Sequence, residues 1–118
     1  MSTASLEGGE GGRFRVSGEL DATTVTSLLK ESRRRFAGLE RLEIDLGGVR
    51  AADSAGLALL LEWLRLARQA GQPIRLANLP EQLVALARIS EVEGLLAANG
   101  SPQTAEAANR TSDEVVTP

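Results

Sequence analysis

Apolar and polar residues alternate over Arg13-Phe14-Arg15-Val16-Ser17, the period-two pattern of a strand with one buried face. Gly18 ends that strand. Asp21 then stands in an N-cap position, and Val25, Leu28, Leu29 and Phe36 follow at helical spacing, with Ser32 a mild interruption of the stripe. This helix closes near Gly38. A second strand is predicted over Arg41 to Leu46, with Leu42, Ile44 and Leu46 on one face and Glu43 and Asp45 on the other; Gly47-Gly48 marks the break after it.

Asp53-Ser54-Ala55-Gly56 then leads into a long helix that runs to about Ala70, where Gly71 can turn left-handed. Pro73 to Ala77 reads as a third, short strand. Pro80 opens another helix, a place where its missing N–H costs nothing, and Leu83, Leu86 and Ala87 form its buried face. Val92, Leu95 and Leu96 are expected to pack back onto the core. Strands alternating with helices predict βαβ units: a small α/β domain with a mixed, mostly parallel sheet and helices packed against it.

The ends carry weaker patterns. Residues 1–12 read as a flexible, Gly-rich N-terminus in which Thr3 to Glu7 could supply a short edge strand. Residues 97–118 lack aromatic residues and apolar periodicity and are expected to form a disordered tail, because such a segment cannot repay the entropy of ordering. The domain proper is expected over residues 13–96.

Composition narrows the function. The 118 residues are 42% hydrophobic and carry a net charge of -3, enough apolar material for one core and too little positive charge for a phosphate-neutralising nucleic-acid face. There is no Cys and no His, which removes disulfides, thiol chemistry, the commonest general base and the commonest metal ligand together. No cofactor, metal site or catalysis is expected. No apolar run approaches the ~20 residues of a membrane span, so a cytoplasmic protein without direct membrane insertion is expected.

With the elements in place, Gly18-Glu19-Leu20-Asp21, the strand ending Ile44-Asp45-Leu46, and Asp53-Ser54-Ala55-Gly56-Leu57 at a helix start resemble the STAS family of regulatory domains. Two branches are relevant. In anti-sigma factor antagonists, the Ser following Asp in this motif is phosphorylated by a partner kinase. MlaB-like proteins sit on the cytoplasmic ATPase of an ABC transporter that moves phospholipids to maintain outer-membrane asymmetry. Ala55-Gly56-Leu57-Ala58-Leu59-Leu60-Leu61 and Ala67-Arg68-Gln69-Ala70-Gly71 look more like MlaB. The resemblance implies a non-catalytic cytoplasmic subunit, peripheral to the inner membrane, that regulates or stabilises an Mla-type ATPase. The alternative is an antagonist that binds an anti-sigma factor kinase.

Ser54 is the principal site candidate, as a partner contact or phosphosite, with Asp53, Asp21, Ala55, Gly56 and Leu59 in support. Its residue type also suits simple helix capping, and that reading stays open. Asp21 and Asp53 both follow strands and should share one edge of the sheet. Paired carboxylates could serve a carboxylate-dependent enzyme, but each has a capping role to fill. On the helix after Ser54, apolar residues from Leu57 to Ala67 span roughly 220° at 100° per residue, against little over ~100° for a helix packed on a sheet. Either Leu59, Leu61 and Leu66 reach outside the core, or the helix is covered on several sides. Arg33-Arg34-Arg35 reads as a solvated helix face, with Glu31 placed to pair with Arg35.

Overall fold

The computed structural model describes residues 1–98, so the predicted tail lies outside the described residues apart from its first two positions. In chain order the elements are β1 (Ala4–Gly8), a single 3-10 turn (Glu10–Gly12), β2 (Arg13–Leu20), α1 (Val25–Phe36), β3 (Leu42–Ala52), α2 (Ser54–Gln69), β4 (Ile74–Ala77), α3 (Glu81–Ile89) and α4 (Glu93–Ala98). The sheet order is β1-β2-β3-β4. β1 runs antiparallel to β2, while β2, β3 and β4 are mutually parallel.

Alternation along the strands decides where the helices go. Phe14, Val16 and Leu20 of β2, Leu42, Ile44 and Leu46 of β3, and Leu76 of β4 are all buried. The intervening residues Arg13, Arg15, Glu43, Asp45 and Arg75 are exposed or half-buried, and they pair across the strands: Arg15 with Asp45 at 2.9 Å and Arg13 with Glu43 at 3.8 Å. One face of the sheet therefore carries the helices and the other meets solvent with a ladder of opposite charges.

Both glycine breaks expected in the strands are bridged. β2 continues through Gly18 to Leu20, with Gly18 at φ 102°, where an added Cβ would lie 2.2 Å from the Thr3 carbonyl oxygen. Only glycine allows β1 to pair so closely at that point. β3 continues through Gly47-Gly48 to Ala52 and carries an extra residue relative to β2 at two places, between the partners of Arg15 and Ser17 and between those of Gly18 and Glu19. The glycines mark a bulge, which bends the strand without ending it. The possible edge strand forms as β1, anchored by the buried Leu6.

Helix α1 starts at Val25, four residues after Asp21, so the expected N-cap is displaced. Asp21 instead shapes the turn before it, its Oδ1 accepting from the Thr23 N–H at 2.9 Å and the Thr23 hydroxyl at 2.7 Å. The buried stripe of α1 is Leu28, Ser32 and Phe36. Ser32 belongs to the core: its Oγ accepts the Trp63 indole N–H at 2.8 Å and donates to the Leu29 carbonyl at 2.8 Å. Phe14, Phe36 and Trp63 form a tilted aromatic chain with centroid separations of 4.8 and 5.7 Å. Of the residues expected to close the core, Leu96 is buried and Val92 half-buried, but Leu95 is 47% exposed, because α4 turns only one side inward.

Candidate functional site

The site is built where β2 and β3 end side by side. Leu20 pairs with Ala52, and the Asp53 N–H donates to the Leu20 carbonyl at 3.1 Å, so the two strand ends are tied before the chain turns into α2. Asp53 is extended (φ -122°) and caps α2, its Oδ1 accepting from the Ala55 N–H at 2.9 Å. Its carbonyl accepts the Gly56 and Leu57 N–H groups. The capping role open to Ser54 is therefore filled by its neighbour. Ser54 is the first residue of the helix, exposed, and its hydroxyl has no hydrogen-bond partner among the described residues.

Gly56 has a steric reason. A Cβ there would lie 2.9 Å from Leu20 Cβ and 3.3 Å from Ala52 Cβ, so the first turn of α2 rests directly on the two strand ends. That contact sets how far Ser54 projects from the sheet. Gly56→Ala should lower stability by about 1–2 kcal/mol, the overpacking cost outweighing the better helix propensity of alanine. Denaturant unfolding checks this, and a more stable variant would show that the helix can lift off without loss.

Asp21 and Asp53 line one cleft of about 390 Å³ with Glu19, Leu20, Ala51, Ala52, Met1 and Ser2. The shared edge expected for the two aspartates is thus realised. Hydrogen bonds from the Ser2 and Thr23 hydroxyls, in that order, hold Asp21 below the usual carboxylate range. Glu19 is likewise lowered, first by the Thr3 backbone N–H and then by Arg50, which it meets at 2.9 Å. A glycosidase-type general acid needs its pKa raised, and the environment of Asp21 acts in the opposite direction.

Leu59 and Gly56 are buried and present no surface to a partner; Leu59 is 3% exposed and sits in the core. Ala55 is half-buried beside Ser54. The wide apolar arc of α2 is explained by cover on several sides, since the helix meets α1, α3 and α4 as well as β3, leaving Leu61 and Leu66 only half-buried. One residue at this edge was not legible in the sequence. Gln82, in the first turn of α3, accepts the Ala52 N–H on its Oε1 at 2.9 Å and so fixes the backbone just before Asp53. A glutamine after Pro80-Glu81 carries no signal of that long-range bond.

Among the described residues no group of His, Cys, Asp or Glu is arranged to hold a metal ion, and no helix is long and apolar enough to cross a membrane. No curated protein matches the chain. Among solved structures it is similar to the anti-sigma factor antagonist SpoIIAA in its unphosphorylated form, with 20% identity and a TM-score of 0.57, over 73% of this chain and 82% of that one. That likeness shows the fold. The family described as "Mlab, STAS domain" matches residues 6–97, nearly the whole described chain, including Asp21, Asp53 and Ser54. The protein belongs to the MlaB-like STAS domain family, whose members are generally non-catalytic regulatory proteins.

Proposed function

We propose that this domain is an accessory subunit of an Mla-type phospholipid ABC transporter, docking on the transporter's ATPase through the Ser54 edge and regulating or stabilising it. The supporting observation is the division of labour at the start of α2. Asp53 caps the helix, which leaves the adjacent Ser54 hydroxyl exposed and without an internal partner. A polar group presented by a rigid helix end, held on two strand termini, is a fixed feature for another protein to read. Asp21 and Asp53 border the contact, and Gln82 positions the backbone beneath it. On this reading the protein is cytoplasmic and reaches the inner membrane only through its partner. Affinity capture from the native cell tests the proposal: an ABC ATPase is expected, and an anti-sigma factor kinase in its place would replace it.

The likeness to SpoIIAA favours a second reading, an anti-sigma factor antagonist switched by phosphorylation of Ser54. Exposure of the hydroxyl suits a kinase equally well. A phosphate would add close to two negative charges beside Asp53 and the already acidic cleft. The transporter reading expects no phosphorylation at Ser54 in native protein. Intact-mass analysis with site mapping separates the two, and a substantial phosphoserine fraction at position 54 would favour the antagonist.

A further inference from the structure

Sheet edges are the places where a β domain is open to another chain, and β1 forms one of them. The bonds at its two ends set its hydrogen-bonding phase. The Gly9 N–H donates to the Arg13 carbonyl, and the Glu19 N–H donates to the Thr3 carbonyl. With Leu6 opposite Val16 in the same register, the main-chain groups of Ser5 and Glu7 face β2, while those of Ala4, Leu6 and Gly8 face outward. Two of those three outward carbonyls are occupied. The Arg35 guanidinium reaches from α1 and donates through Nη1 to the Leu6 carbonyl at 2.7 Å and through Nη2 to the Gly8 carbonyl. It is held there by Glu31 at 3.2 Å and by the face of Phe14, 5.2 Å from the ring centroid.

We propose that the outer edge of β1 is a pairing surface for a second copy of this chain, and that Arg35 keeps it closed. The strand is suited to pair with itself. Antiparallel about Leu6, Ala4 would face Gly8 and Ser5 would face Glu7, with no like charges opposed. The outward-facing groups of Ala4, Leu6 and Gly8 are those that such a register would bond. The strand contains no Pro and no Lys, the residues that commonly blunt an edge. Arg35 takes two of the three acceptors that each copy would offer, so most of the ladder cannot form while it is in place. Its planar fork makes it an effective guard, since a single side chain satisfies two carbonyls at once.

The test uses the full chain with Arg35→Met, which keeps an aliphatic stem over Phe14 and removes the donors. Sedimentation velocity at rising concentration should show the wild type monomeric and the variant dimeric, with self-association at least about tenfold tighter. Amide exchange should show new protection at Ala4, Leu6 and Gly8 in the variant dimer. Arg35→Lys keeps the charge but offers one donor nitrogen in place of the two that the guanidinium uses, should lie between the two, and serves as the test variant should Arg35→Met not fold. A folded variant that stays monomeric overturns the proposal. So does a dimer in which those three amides remain unprotected, or a wild-type dimer already protected at them.

Discussion

Trp63→Ala should cost about 3–5 kcal/mol of folding stability, a large share of the total a small domain has. Trp63 is 1% exposed and lies against Phe36, which in turn lies against Phe14, so one truncation opens a cavity between α2, α1 and the sheet. A second contribution comes from its hydrogen bond. The indole N–H donates to Ser32 Oγ at 2.8 Å, and both residues are buried, so the bond is made between groups withdrawn from the surface. Two further variants separate the effects. Trp63→Phe keeps an aromatic ring and leaves Ser32 bonded to the Leu29 carbonyl, so its loss should be the smallest of the three. Ser32→Ala orphans the indole donor and should cost about 1–3 kcal/mol. Urea unfolding followed by circular dichroism measures all three, since Trp63 is the sole tryptophan and its removal abolishes the fluorescence signal. A Trp63→Ala loss below about 1 kcal/mol would mean that α2 is not packed as described.

The Ser32–Trp63 pair also shows what periodicity can and cannot reveal. The positions of Leu28 and Phe36 on α1, and of Leu42, Ile44 and Leu46 on β3, follow from spacing alone, because each lies on the face that must leave water. Ser32 falls on the same stripe and looks like a flaw until Trp63, on another helix, supplies its partner. Glycine is ambiguous in the opposite direction. Gly18 and Gly47-Gly48 look like strand ends, yet they are where a strand accepts a close neighbour or an extra residue and continues. The Asp53-Ser54 edge was legible because capping is local, a matter of two or three residues. Gln82 was not, because its partner, the Ala52 N–H, is fixed only once α3 has folded against β3. Arg35 belongs to the same class. Its pairing with Glu31 is a helix-spacing inference, and its grip on the Leu6 and Gly8 carbonyls is a tertiary one.

Ser54→Arg should abolish partner binding while leaving the domain folded. The structural cost is small because Asp53, not Ser54, caps α2, so the Ala55 N–H keeps its acceptor. What remains is an unfavourable positive charge at a helix N-terminus, about 0.3–1 kcal/mol. A packed contact is far less forgiving: a long cation in place of a hydroxyl adds volume and a charge with no partner, and should cost more than about 2 kcal/mol, or roughly 30-fold in affinity. Ser54→Ala removes only the hydroxyl and should weaken binding less. Asp53→Ala gives the converse pattern in stability, losing about 1 kcal/mol with the cap and loosening the turn that presents Ser54. Thermal unfolding and a quantitative pull-down against the captured partner, run on the three variants together, separate a contact from a cap. If Ser54→Arg folds and still binds at wild-type level, the partner does not read this edge, and Ser54 is only the first exposed residue of a helix that Asp53 caps.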